Sequence, residues 1–533
     1  MRTHALRITA LLVGAALAQQ AWASGYHFGT QSVSAQGTAN ASGAAADDVT
    51  TIFSNPAGLT HIDGDNFAGV LDIVVPHGDF TDGGSHTYLG QTTGGQSGGN
   101  FTKTTVVPHA YLSHKINSDL TVGFGAFVPF GSDVEYASNW AGRYDVLETK
   151  LETLALNPSF AWRVNPTVSI GGGITAQYNK GKLVKGADFG TVSMIAPNGN
   201  GPSLAQQLQG ALTQAQGLAA AAQATFGTSS AQYQQAAAAV QALTGLNSSM
   251  VANLSGNPTY DGQVDVNGDD WGYGFNMGVL FDIDPHTRVG VAYRSKIQHK
   301  LNGTANWTVP QTFASSPVYA QASATLAALG TNVGNLGQLV QNSLNSTFSN
   351  GGASIAVDTP ESLSLSVYRD INDKLALMAD VTRTKHSRLQ AINVQFANGL
   401  APANIPENWA DTTKYSVGGT YKYSDQLKLR AGFMYDQSPV SDSNRTPALP
   451  DGDRKWVSLG FNWAFSKASS VDFAYSYVQI GTVGVHNFDN GGVTNASGQQ
   501  VCDQTKNTSS CSTTIGQDKV YSHLVGLQYN YHF

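Results

Sequence analysis

The chain has 533 residues, a formal net charge of −7 and 12% charged side chains, roughly half the charged fraction of a soluble protein. No basic stretch is available to neutralise phosphates, so the sequence gives no reason to expect a nucleic-acid partner. With 58 glycines and 10% aromatics, it suits instead a Gly-rich barrel with aromatic girdles and a lipid face that avoids charge.

Residues 1–23 read as an export signal: Arg2 and Arg7, an apolar run from Ile8 to Ala18, then Ala21-Trp22-Ala23 at a cleavage site. That run is too short for a membrane helix, which needs about twenty residues, so any spanning must be done by strands. Residues 24–65, rich in Gly, Ala, Ser and Asn, form a compact segment able to coil inside a barrel. From residue 66 the pattern becomes alternation at period two, as a barrel wall requires when lipid-facing and lumen-facing residues swap at each step. It is plainest at Val457, Leu459, Phe461, Trp463 and Phe465, with Ser458, Gly460, Asn462 and Ala464 between them.

This template predicts strands near 66–76, 105–116, 119–129, 147–164, 166–180, 268–283, 286–300, 355–371, 373–390, 412–424, 426–438, 455–467, 469–480 and 519–533. Asn117-Ser118, Asn165-Pro166, Asp284-Pro285, Asn372, Ser424-Asp425 and Lys467-Ala468 supply tight turns that alternate with long excursions, the periplasmic and extracellular asymmetry of such barrels. An even strand number then leaves both chain ends on the periplasmic side. The expected fold is all-β: a fourteen-stranded antiparallel transmembrane barrel over 66–533. It ends on Val525, Leu527, Tyr529, Tyr531 and Phe533, which share one face. Two excursions, near 181–267 and 301–354, carry helix-forming sequence: the Ala/Gln-rich run Ser203 to Leu246, and Ala324 to Leu344 with apolar residues at nearly helical spacing. Cys502 and Cys511, the only cysteines, are expected to pair as a clip on one loop.

In the outer half of the fourth strand, Leu147 and Leu151 share the inward parity of Asn157 and Ser159, so the wall there is expected to be greasy inside. In the third strand, Gly123, Gly125 and Pro129 suit a bulge or an interrupted ladder. Catalytic patterns are weak. Gly95-Gln96-Ser97-Gly98-Gly99 spells a nucleophile elbow but lacks the strand and helix that the chemistry needs. No HExxH, Walker A or calcium-loop pattern occurs, so neither a metal nor another cofactor is expected and no catalytic residue is assigned.

The stretch from Ser24-Gly25-Tyr26 through Ala46-Asp47-Asp48 to Asn55-Pro56-Ala57-Gly58-Leu59 resembles the N-terminal hatch of the FadL-type long-chain fatty acid transporters. The likeness continues in order through Trp140-Ala141-Gly142, Trp271-Gly272-Tyr273-Gly274 with Tyr293-Arg294-Ser295, Asp436-Gln437-Ser438-Pro439-Val440, and Pro450-Asp451-Gly452-Asp453-Arg454 with Trp456. The resemblance implies a hatch (24–65) plugging the lumen, gated at Asn55, Pro56 and Ala57, and passive uptake of hydrophobic molecules with sideways release through a kinked third strand. It places Tyr26 against a deep pocket, with Phe28 beside it as an apolar plug, and Lys180 at a basic headgroup contact. Arg388, on the inward parity of the ninth strand, is a second headgroup candidate. Such a barrel is expected in the bacterial outer membrane as a monomer among lipid and lipopolysaccharide, inserted by the barrel assembly machinery, with a hydrophobic small molecule as its substrate. Aromatic-hydrocarbon uptake is the runner-up, followed by an outer-membrane lipase or an adhesin.

Overall fold

The computed structural model describes residues 29–197 and 201–533. The signal segment, Tyr26 and Phe28 lie outside the described residues.

Fourteen antiparallel strands make the wall, four of them interrupted. They are β1 (Asn66–Asp82), β2 (Thr105–Lys115), β3 (Leu120–Phe127, resuming as Gly131–Glu135), β4 (Glu148–Asn165), β5 (Val168–Asp188), β6 (Asp261–Asp284) and β7 (Thr287–Arg294, resuming as Ile297–Thr308). There follow β8 (Gly351–Thr359, resuming as Ser362–Asp370), β9 (Leu375–Thr384, resuming as Ala391–Phe396), β10 (Thr412–Lys422), β11 (Leu427–Asp436), β12 (Arg454–Ala464), β13 (Ser469–Phe488) and β14 (Thr513–His532). Each pairs with its sequence neighbour, and β1 closes on β14 from Asn66 opposite His532 to Asp82 opposite Gly516. Closure pairs the first strand with the last and so removes the terminal sheet edges, which a lipid environment demands. The outer face exposes Trp162, Ile174, Tyr273, Leu459, Trp463 and Leu527, as the alternation predicts.

Several strands run further outward than expected. β5 ends at Asp188 and not near 180, β6 begins at Asp261 and not near 268, and β13 and β14 reach Phe488 and back to Thr513. Above the lipid both faces of β5 are buried, at Val184, Lys185, Gly186 and Ala187, so the alternation that marks a strand disappears there. The Ser203–Leu246 run is two helices, α4 (Leu204–Phe226) and α5 (Ala231–Leu254), after a short α3 (Phe189–Ile195). Ser203 and Gln206 form a capping box at the first and Ser230 caps the second. In the other loop α6 (Pro317–Ala328) and α7 (Leu336–Thr347) flank a break at Gly330 and Gly334, both at positive φ, so Leu329 and Val333 are not helical as expected. Cys502 and Cys511 form the expected disulfide.

The hatch lies inside the barrel as α1 (Val33–Gly37), α2 (Thr51–Ser54) and a 3₁₀ turn, Pro56–His61. Wall glycines let it sit close: a Cβ on Gly171 or Gly278 would run into the Asn55–Ala57 turn, and one on Gly418 or Gly432 into Thr38. Charge completes the fit. Asp380 accepts from the backbone N–H groups of Ser42 (3.2 Å) and Gly43 (2.9 Å), and Arg430, bound to Asp472, lies 3.5 Å from the hatch carboxylate of Asp47.

Candidate functional site

The Asn55 side chain closes the Asn55-Pro56-Ala57 turn with one end and pins it to the wall with the other. Asn55 accepts from the Ala57 N–H (3.1 Å) through Oδ1 and donates from Nδ2 to the β6 carbonyl of Val279 (3.1 Å). Pro56, which has no N–H to lose, opens the 3₁₀ turn.

The wall is incomplete beside it. The ladder between β2 and β3 joins Ala110–Lys115 to Thr121–Ala126 and stops. Beyond it, Thr105–His109 of β2 pairs only with β1, and the resumed half of β3 pairs only with β4. Further out the two sides rejoin at a single bridge, Thr102 to Val134. Between lies Val128-Pro129-Phe130, whose backbone is satisfied by side chains. The Val128 N–H donates to His109 Nδ1 (3.2 Å), the Val128 carbonyl accepts from the hatch residue Gln31 (2.6 Å), and the Phe130 N–H donates to Thr153 (3.0 Å). Pro129 supplies no donor, the interruption expected of it. Gly123 and Gly125 sit below the break: Gly123 leaves room for Ile52 and Leu59 of the hatch, and Gly125 for the rings of Tyr111 and Phe127.

Outside the hatch the lumen is apolar. One continuous cluster includes Phe130 and Val134 at the break, Leu147 on the wall, Phe189 beside α3, and Trp307 and Phe348 under the second loop, with Leu151 packed against it. Leu147 and Leu151 therefore face inward, as the parity of β4 requires. Between hatch and wall lies a cavity of about 130 Å³, lined among others by Ser34, Asp47, Arg294, Ser362, Asp380 and Lys414.

The cations fall differently from expectation. Lys180 is exposed on the outer parity of β5, between Glu152 and Asp269 on the neighbouring strands, while Asn179 points inward. The headgroup assignment of Lys180 is thereby corrected, because a one-residue change of parity moves a side chain through the wall. The inward lysine of β5 is Lys185, buried and bound to Asp489. Arg388 stands on a 3₁₀ turn (His386–Arg388) inserted into β9, and its guanidinium grips Glu361 through two hydrogen bonds of 2.9 and 2.6 Å. Its charge is met within the protein. Arg294 is the cation that sequence reasoning passed over. It ends the lower half of β7, lines the cavity, and donates to the hatch carbonyl of Phe53 (2.9 Å), with its guanidinium carbon 4.5 Å from the Phe53 ring centre. The signal was present: Val289, Val291 and Tyr293 alternate with Arg288, Gly290, Ala292 and Arg294.

Ser97, the serine of the elbow-like stretch, is exposed and accepts from the Asp82 N–H (3.3 Å). Near the mouth, burial pushes the Glu407 carboxyl up to about 8 against its bonds from Thr446 and Trp409. Burial, with repulsion from Asp489, pushes Asp145 up to about 7.

Residues 14–533 match the family described as outer membrane protein transport protein (OMPP1/FadL/TodX). The chain belongs to the FadL/TodX family. Its relatives include an outer membrane protein of Neisseria meningitidis serogroup B, 35% identical with all of both chains covered. A long-chain fatty acid transport protein of Escherichia coli O6:H1 is 28% identical, covering 88% of this chain and 90% of that one. Among solved structures, a Pseudomonas aeruginosa FadL homologue shares the fold at a TM-score of 0.72 and 22% identity, covering 95% of this chain and 99% of that one. This FadL/TodX barrel is accordingly an outer-membrane transporter of hydrophobic compounds and not an enzyme.

Proposed function

We propose that the barrel takes up long-chain fatty acids and releases them sideways through the break in β3. The observation that carries this reading is continuity: Phe130 belongs to the apolar cluster of the outer lumen and also flanks the gap between β2 and β3. A greasy chain can follow that surface to the wall without crossing the polar hatch. Burying a sixteen-carbon chain is worth about 12 kcal/mol before the costs of association, so tail burial alone can drive capture. The fatty-acid transport named for the E. coli relative supports the choice of cargo.

The cavity volume favours a second reading. About 130 Å³ is near the roughly 150 Å³ of an engineered cavity that holds benzene, which suits an aromatic hydrocarbon, whereas a fatty acid would have to displace the hatch. The lining argues the other way, since Ser, Thr, Asp and Lys side chains are poor company for a hydrocarbon. Titrating the purified protein with oleate and with toluene separates the two. Oleate should bind the more tightly, and a clear preference for toluene would replace the fatty-acid reading with the hydrocarbon one.

A further inference from the structure

We propose that the outward face of β12, β13, β14 and β1 is a docking surface for a lipid A-type phosphoglycolipid of the outer leaflet. Lys455 and Lys519 take its phosphates, and the rings of Tyr477, Tyr521 and His523 face its sugars. This surface is separate from the cargo path, which runs inside the wall.

Two rows of rings set the level of the membrane on this face. The inner row is Trp463, Phe465, Tyr529 and Tyr531, in mutual contact. The outer row is Tyr475, Tyr477, Tyr521 and His523, with neighbouring ring centres 5.4 to 6.4 Å apart, and His77 packs 4.8 Å from Tyr521. Val457, Leu459 and Leu527 are exposed between the rows, as in the apolar band of a barrel flanked by aromatic girdles. Lys455 stands ten residues outward of Phe465, and Lys519 ten outward of Tyr529. Ten residues of a strand tilted by about 40° climb roughly 25 Å, the height of that band. Both ammonium groups therefore stand at the level of the outer headgroups.

Both lysines are exposed on the lipid-facing parity of their strands. Among the described residues neither has an acidic partner, whereas Lys150 and Lys182 on the opposite wall are held by Glu152 and Glu148. The carboxylate across from Lys519, Asp79, is turned to His77 at 2.6 Å, and Asp453 accepts from the Tyr435 hydroxyl. The bulge after Gln479, with Gly481 at positive φ, sets the small Thr482 beside Lys519, so no bulky side chain covers it from β13. Gln479 lies in register between Lys455 and Tyr521, which puts Lys519 two strands across and two residues outward from Lys455. Those steps separate the two backbones by about 12 Å. Two unpartnered cations at that spacing match a headgroup with a phosphate at each end of a sugar core better than the single phosphodiester of a phospholipid. Phosphates gain from each lysine at the membrane surface, amphipathic Tyr and His rings offer flat faces and polar tips to a sugar, and the acyl chains lie on Val457 and Leu459.

The test is native mass spectrometry of delipidated full-length protein in detergent, titrated with bisphosphorylated lipid A and with the same lipid stripped of phosphate. Heat-modifiable migration on gels checks that each variant barrel is folded. Wild type should retain one bisphosphorylated lipid per barrel and bind the stripped lipid about tenfold or more weakly. The double variant Lys455→Gln/Lys519→Gln should lose about tenfold or more for the phosphorylated lipid and stay within about twofold for the stripped one, while Lys455→Arg/Lys519→Arg should retain most of the binding. Lys180→Gln, which removes an exposed lysine flanked by Glu152 and Asp269, should change neither affinity by more than about twofold. Equal binding of the two lipids by wild type, wild-type affinity in the double Gln variant, or an equal loss in Lys180→Gln would each overturn the proposal. Equal competition by phosphatidylglycerol would also overturn it, because the face would then take any anionic lipid.

Discussion

Glu407 is fully buried, accepting from the Trp409 indole (3.0 Å) and the Thr446 hydroxyl (2.9 Å), and with its carboxyl pushed up to about 8 it keeps its proton at neutral pH. A folded value above the ordinary 4.5 means that the folded state holds the proton more tightly. The resulting stabilisation is complete below about 4.5 and is lost as pH rises through about 8. Proteolysis of the outer loops should therefore quicken between about pH 5 and 8, and Glu407→Gln, which cannot titrate, should flatten that dependence. An unchanged pH slope in the variant would assign the effect to other groups. Residue-scale legibility was uneven for a related reason. The inward placement of Leu147 and Leu151 follows from parity alone, and Arg294 is equally readable because its strand alternates cleanly. Lys180 was placed by likeness to a family position and not by counting from Ile174, which faces lipid. Glu361, which neutralises Arg388, stands 27 residues away in sequence, a contact that no local pattern reveals.

Turns and strands were legible wherever lipid lay on one side. β11 and β12 run nearly as read, because Leu429, Phe433, Leu459 and Trp463 meet lipid while Arg430 and Met434 meet the lumen. The interruption of β9 was not legible. Its inserted turn carries His386 inward against Trp409 and sits in sequence that reads as a continued strand. The break in β3 was half legible, in Pro129, but its repair by Gln31 and His109 comes from distant segments. Two predictions belong to these elements. Replacing Asn55 and Pro56 with Ala removes the cap and the bond to Val279, each worth about 1 kcal/mol, and oleate uptake by cells should fall at equal surface expression. Unchanged uptake would count against gating by this turn. Phe130→Lys places a charge on the apolar surface leading to the gap, at a desolvation cost of several kcal/mol. Uptake should drop sharply while the barrel still migrates as a folded species, and normal uptake would argue that cargo takes another route.

At the scale of the whole molecule, a closed wall with helical outer loops should give a β-rich circular dichroism spectrum with a minor helical component, and a mainly helical spectrum in detergent would be incompatible with the fold. The Cys502–Cys511 clip closes so short a loop that its loss should cost about 2.5 to 3 kcal/mol in the chain-entropy account, so reduction should speed cleavage of that loop and leave the wall intact. The glycines beneath the hatch reach further than their own positions. Gly171, Gly278, Gly418 and Gly432 come from four different strands, and each leaves no space for even a methyl group next to the hatch. Replacing any one with a larger residue would leave lipid face and strand pairing untouched yet lift the plug, turning a selective carrier into a general leak. Cells bearing such a missense change should become sensitive to bulky antibiotics that the outer membrane normally excludes, a drug-susceptibility phenotype produced without losing the protein.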